Sequence, residues 1–101
     1  MKNINMTIII FLTFLASAPT TAGTGADLYK ACIRCHGEFG EGKVSEKAPQ
    51  IAGQFDWYIK KALSDFKSGA RKNPTMFPYV KNLTQDNFND LATYVSQLKV
   101  K

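Results

Sequence analysis

The sequence predicts a small all-α domain of three to four helices, and three observations carry that reading. Two stretches repeat apolar residues at helical spacing: Phe55, Tyr58, Ile59, Ala62, Leu63 and Phe66, then Phe88, Leu91, Ala92, Val95 and Leu98. No run alternates apolar and polar residues as a half-buried strand would. Both cysteines and the single histidine fall together in Cys32-Ile33-Arg34-Cys35-His36. That is C-x-x-C-H, the spacing at which a c-type haem is attached. The helices are therefore expected to wrap around one covalently bound haem.

Each residue type in that pentapeptide has a chemical reason. Two thiols three residues apart at a helix end can add to the two vinyl groups on one porphyrin edge. His36 then falls under the ring centre, where a neutral imidazole binds iron. The alternatives fit less well. A thioredoxin-like C-x-x-C would follow a strand in an α/β domain. A structural zinc site wants four ligands. A disulfide between Cys32 and Cys35 would close a very small loop and leave His36 without a role.

At 101 residues the chain is one domain. Met1 to about Ala22 read as a secretory signal: Lys2 supplies the positive start, and Met6 to Ala16 an apolar stretch of about eleven residues, short of the roughly 20 that span a bilayer. Ala16-Ser17-Ala18 is one cleavage site, but Pro19 follows it; Thr20-Thr21-Ala22 is preferred. An uncleaved N-terminal anchor is the alternative. The mature chain is then residues 23–101, a monohaem domain without a membrane span. A domain of roughly 80 residues buries only about 60–65% of its chain surface and usually needs a staple; with both cysteines spent on haem, the porphyrin must fill the centre. Export also places the chain where thiols normally oxidise, so attachment needs them kept reduced until ligated.

The formal charge is +5, falling to about +4 once Lys2 is removed. The basic residues are scattered, with pairs only at Lys60-Lys61 and Arg71-Lys72. That argues for a solvated face that steers toward an acidic partner, not for nucleic-acid binding.

In chain order, residues 25–32 read as a short helix with Asp27 in its first turn and Leu28, Ala31 and Cys32 on one face. Tyr29 suits a core contact to the last helix better than a redox role. Residues 37–54 form a glycine-rich loop. Its Gly37–Lys43 segment matches G-x-x-x-x-G-K, but Val44 stands where a phosphate loop needs Ser or Thr and no strand precedes it. The glycines are expected instead to let the backbone pass close to the haem edge. Pro49 is expected on the histidine side, its carbonyl accepting from His36 Nδ1 to fix the tautomer.

Residues 55–67 form the amphipathic second helix, closed by Gly69; Trp57 either flanks the haem or packs on the surface, the latter being favoured. Residues 70–83 are an irregular loop bracketed by Pro74 and Pro78. Met76, in its middle, is the sole methionine of the mature chain. A lone methionine is ordinarily core filler, but this one lies in a stiffened loop about forty residues from His36, able to reach the opposite haem face as second axial ligand. A five-coordinate iron, or water in the sixth position, is the rival. Thr84 caps the last helix, with Leu83 and Phe88 as its staple, Tyr94 at the edge of its apolar stripe, and Lys99 and Lys101 at its end.

Together, C-x-x-C-H, Ala48-Pro49-Gln50-Ile51-Ala52-Gly53-Gln54, Phe66-Lys67-Ser68-Gly69-Ala70-Arg71, Met76 and Leu91-Ala92-x-Tyr94-Val95 resemble a small bacterial class I cytochrome c. The pattern is most similar to the cytochrome c-553 group, and its middle to one half of a cytochrome c4. The resemblance implies the class I cytochrome c fold, with Cys32 and Cys35 carrying haem c, His36 and Met76 binding iron, and the Pro49 carbonyl orienting His36. It implies that the first and last helices cross, with Leu28 or Tyr29 against Leu91 and Tyr94. It also implies a periplasmic one-electron carrier, a monomer making transient contacts with membrane redox complexes: a quinol-oxidising cytochrome complex on one side, a terminal oxidase or haem peroxidase on the other. An electron-entry subunit of a larger enzyme, and a haem enzyme or gas sensor with an open iron position, are the competing readings.

Overall fold

The computed structural model describes residues 24–101; the expected signal and its cleavage site lie outside the described residues. Five α-helical segments follow in order: α1 (Gly25–Tyr29), α2 (Ile33–His36), α3 (Asp56–Ser68), α4 (Phe77–Val80) and α5 (Gln85–Ser96). Among the described residues there is no strand beyond a single antiparallel bridge between Lys43 and Ala48. No helix among them is long and apolar enough to cross a membrane.

The first helical stretch runs further than residues 25–32. A 3-10 turn, Lys30–Cys32, joins α1 to α2 and carries the chain to His36. That tighter turn, about 3.0 residues instead of 3.6, shifts the helical face. Ala31 is exposed, while Tyr29 is 1% exposed and takes the core position. Thr24 caps α1, its hydroxyl accepting from Asp27 N–H at 3.2 Å.

Helix α5 is the centre of the packing and lies against both α1 and α3. Its stripe of Phe88, Leu91, Ala92 and Val95 is buried, as the periodicity requires, with Leu98 and Tyr94 partly covered. Each such large apolar side chain contributes about 1.5–3 kcal/mol on burial. The start of α5 is held by a reciprocal cap: the Thr84 hydroxyl accepts from Asn87 N–H at 3.1 Å, and Asn87 Oδ1 accepts from Thr84 N–H at 2.9 Å. The helix ends at Ser96, so Lys99 and Lys101 lie beyond it and no basic residue occupies its last turn; Gly53 N–H takes the Val95 carbonyl at 3.1 Å instead. Helices α1 and α5 cross as expected, Tyr29 meeting Tyr94 at 5.4 Å between ring centroids. The crossing is close: a Cβ on Gly25 would collide with the Asp90 carbonyl and Tyr94 Cβ.

Helix α3 buries Ile59 and Phe66, with Ala62 and Leu63 partly covered. Phe55 does not join them. It is the N-cap, in extended conformation off the helical wheel, and is 66% exposed. Tyr58 is 40% exposed. Trp57 is 61% exposed and packs on the surface, stacked on Phe55 at 6.0 Å. The loop of residues 70–83 contains one ordered turn, α4, with Pro78 in its first turn. Val80 of α4 is buried with Phe66 and Phe88 in a second small core.

Candidate cofactor site

A cavity of about 570 Å³ opens between α2, the 46–51 segment, α3, α5 and the Met76 loop. Its volume is in the range that takes a cofactor-sized ligand. Cys32, Cys35, His36 and Met76 all line it. The structure thus brings the four sequence-predicted residues to one space, although Met76 is forty residues from His36 in the chain.

His36 ends α2 and is 7% exposed. Three local contacts hold the turn that follows it. Gly37 N–H caps the Ile33 carbonyl at 2.8 Å, Gly42 N–H takes the His36 carbonyl at 2.7 Å, and the buried Tyr29 hydroxyl donates to the Gly37 carbonyl at 2.5 Å. The opposing segment is pinned just as closely. Lys43 and Ala48 exchange backbone hydrogen bonds of 2.9 and 3.1 Å, and the Gly40 carbonyl accepts from Ile51 and Ala52 N–H at 2.9 and 3.0 Å. Pro49 lies between these anchors, and its carbonyl oxygen stands 2.9 Å from His36 Nδ1. A carbonyl oxygen can only accept, so Nδ1 carries the proton and Nε2 keeps its lone pair. Such a histidine is prepared for a metal.

The glycines of this loop serve a different purpose from the one expected. None lines the cavity. A Cβ on Gly42 would stand 2.7 Å from Gln50 N and from the Pro49 carbonyl carbon. Gly42 therefore permits two backbone segments to touch, which is what carries Pro49 to His36.

Cys32 and Cys35 form no disulfide with each other, and both are partly covered. Burial, followed by the neighbouring Cys35 sulfur, pushes the Cys32 thiol up to about 11. Reactive redox cysteines show the opposite shift, which disfavours a thiol-exchange role. The Cys35 sulfur lies 4.0 Å from a Glu46 carboxylate oxygen. The wall facing these groups is apolar, built from Ile59, Leu63, Phe66, Leu91 and Val95. Among the described residues no three His, Cys, Asp or Glu side chains cluster to hold a bare metal ion. Two thiols, a tautomer-fixed imidazole and a thioether around an apolar cavity fit an iron porphyrin.

The Met76 loop is organised by a residue the sequence reading passed over. Asn73 Oδ1 accepts from both Thr75 and Met76 N–H at 3.0 Å, and the Asn73 carbonyl accepts from Phe77 N–H at 3.0 Å. The signal was present in Asn73-Pro74, a turn-initiating dipeptide. Glu46 and Lys47 also line the cavity and were not singled out, and Arg71, quoted only within the Phe66–Arg71 motif, was given no place in the site; charged residues in loops carry no periodic signal.

The comparisons with known proteins agree with this geometry. A family model for cytochrome c matches residues 22–99. Cytochrome c-553 of Helicobacter pylori is 38% identical over 93 residues, covering 91% of this chain and 97% of that protein. Cytochrome c4 of Pseudomonas aeruginosa is 30% identical over 97 residues, covering 96% of this chain but 48% of its own length. A solved structure of Acidithiobacillus ferrooxidans cytochrome c4 matches with a TM-score of 0.69 at 34% identity, over 76% of this chain and 50% of that one. The chain belongs to the cytochrome c family: an electron-transfer protein and not an enzyme, of the class I fold, with covalently bound haem c as its cofactor.

Proposed function

We propose that His36 Nε2 and the Met76 sulfur are the axial ligands of the haem iron, and that Cys32 and Cys35 carry its two thioether bonds. In this reading the chain is a periplasmic one-electron carrier. The observation that carries the assignment is the 2.9 Å contact of His36 Nδ1 with the Pro49 carbonyl, which leaves the other ring nitrogen of a cavity-lining histidine free for metal. When bound, the haem supplies a ferric/ferrous couple whose potential a histidine–methionine pair raises.

The protein's own groups then do three things. With the haem bound, His36 and Met76 would hold its iron and leave no place for substrate, which suits a carrier. Ile59, Leu63, Leu91 and Val95 exclude water from the cavity and disfavour the charged ferric form. The paired anchors around Pro49 and Asn73 keep the ligand positions still, so little rearrangement accompanies electron transfer. The N-terminal stretch reads as an export signal, which supports a periplasmic site of action. The carrier is read as a monomer that docks transiently, taking electrons from a quinol-oxidising cytochrome complex and delivering them to a terminal oxidase or haem peroxidase. Excess positive charge favours acidic docking faces on such partners.

The test is spectroscopic. Intact mass of periplasmic material should show one covalent haem and loss of the first 22 residues. Met76→Ala should lower the reduction potential, abolish the weak long-wavelength sulfur-to-iron band of the ferric protein, and open the ferrous iron to carbon monoxide. A wild-type spectrum unchanged by Met76→Ala would remove Met76 as ligand. Rapid carbon monoxide binding by the native protein would favour an enzyme or sensor over a carrier.

A further inference from the structure

Three aromatic side chains stand in the open where α3 begins: Phe55 at its N-cap, then Trp57 and Tyr58. Their rings touch in series. Phe55 stacks on Trp57 at 6.0 Å between centroids, and Trp57 meets Tyr58 edge-on at 5.9 Å. Tyr58 also lines the cofactor cavity, so one aromatic strip runs from solvent to the cavity wall. With roughly 200 Å² for a whole aromatic side chain, the exposed parts come to about 300 Å². A contiguous patch of that size on so small a protein marks an interaction site. The core does not draw on it, because α3 turns Ile59 and Phe66 inward and these three rings outward.

The charges around the patch indicate what covers it. Asp56 pairs with Lys60 at 3.8 Å, and Lys61 with Asp65 at 2.6 Å. On the helical wheel the two pairs flank Trp57 on either side. The rim is therefore neutral, in a chain whose formal charge is +5, and gives an acidic protein or a lipid surface no net charge to grip. Its order of signs is self-complementary. Positions 56 and 60 lie equally far from 58, so two copies meeting antiparallel about Tyr58 set Asp56 of each against Lys60 of the other. The thioether side of the cavity lacks this property. Arg34, Lys43 and Lys47 gather there with Glu46, Lys43 Nζ donating to the Arg34 carbonyl at 2.9 Å, and two copies would repel.

We propose that the Phe55–Trp57–Tyr58 face is the docking surface for a second copy of this chain, and that an electron passes between the two copies across it. The electron passage rests on the haem site and carrier role proposed above; the docking face does not. A pair of patches buries about 600 Å² of aromatic surface. A stable interface buries about 1,600 Å², and weak electron-transfer contacts fall below about 1,200 Å². The area fits an encounter that forms and parts, not a lasting dimer. The exchange balances by itself: a reduced copy loses one electron, an oxidised copy gains one, and no bond forms or breaks. Tyr58 at the cavity wall shortens the gap the electron must cross. Electrons can then spread through a pool of carriers.

The experiment uses haem-loaded protein throughout. The ferric sulfur-to-iron band is recorded first; its absence would refute the axial assignment, and the docking face is still judged by association. In fully ferrous protein, where no electron can pass, the indole N–H resonance of Trp57, the single tryptophan, should move as concentration rises from micromolar to millimolar. Electron self-exchange, read from line widths in half-reduced samples, should slow about five- to tenfold in Trp57→Ser. It should keep the wild-type rate in Val44→Ser, which removes an exposed apolar side chain on the thioether side. Lys60→Glu lowers the net positive charge and would speed encounters if net charge alone counted. The expected result is a slowing of about two- to fivefold, reversed by adding Asp56→Lys. An indole resonance indifferent to concentration, with wild-type exchange in Trp57→Ser, would overturn the proposal. Slowing by Val44→Ser alone would overturn it too, by placing the encounter at the thioether edge. So would phosphatidylglycerol vesicles that shift the indole resonance where a second copy does not, which would give the face to a lipid surface.

Discussion

Replacing Gly42 with alanine tests whether backbone contact, and not sequence identity at the ligands, positions the histidine. Gly42 has φ +81°, a conformation that costs a side-chain-bearing residue about 1–2 kcal/mol. The new Cβ would also lie 2.7 Å from Gln50 N and the Pro49 carbonyl carbon and 2.8 Å from the Ala48 carbonyl oxygen. Comfortable contacts between carbons begin near 3.5 Å, so the 48–50 backbone must retreat by roughly 0.8 Å. The His36–Pro49 hydrogen bond at 2.9 Å cannot absorb that movement, and its loss costs about 0.5–1.5 kcal/mol more. The sum is about 1.5–3.5 kcal/mol. Gly69 provides the control, because its φ is +84° but a Cβ there meets nothing within 4 Å. Gly69→Ala should cost only the conformational part. Guanidinium unfolding of the two ferric holoproteins, followed by fluorescence of the single tryptophan, Trp57, measures the difference. Gly42→Ala should be the less stable by about 0.5–1.5 kcal/mol and should alone shift the His36 ring resonances. Equal stabilities, with an unperturbed His36 in both, would refute the contact as the device that positions Pro49.

Two further perturbations follow from the same network. Burial above all pushes the Tyr29 hydroxyl up to about 12, against about 10 in an unfolded chain; the folded state therefore keeps a proton that the unfolded state releases, and stability is full below pH 10 and falls as pH rises toward 12. Tyr29→Phe should lose about 0.5–1.5 kcal/mol at neutral pH by removing the hydroxyl donor to the Gly37 carbonyl, which keeps only the Gly40 N–H at 3.2 Å, and should flatten that alkaline decline, a reading that a wild-type slope in the variant would sink. Asn73→Ala removes the acceptor of the Thr75 and Met76 N–H groups. At a cost of about 1–2 kcal/mol, added imidazole should displace the methionine sulfur about five to thirty times more readily, as read from the ferric spectrum; unchanged imidazole affinity would show that Asn73 does not hold the ligand loop.

The residues themselves determined much of this protein. C-x-x-C-H names the cofactor because thioether chemistry needs two thiols at that spacing. The stripe of α5 was legible from Phe88 to Val95 because a helix that buries one face must repeat apolar residues every three to four positions. The Thr84 cap was legible for a similar local reason. What failed was local reading where the helix was not regular: Ala31 was misplaced by a 3-10 turn, and Phe55 by standing one residue outside α3.

Only the tertiary structure decided how the site is held. Pro49 reaches His36 because Gly42 lets two loop segments meet at backbone distance, and Arg71 reaches the cavity because the turn after α3 folds it over Phe66. Neither arrangement repeats along the chain, so neither leaves a period to detect. Helical faces are set by neighbours a few residues apart, whereas a cavity is set by segments that meet only after the chain has closed.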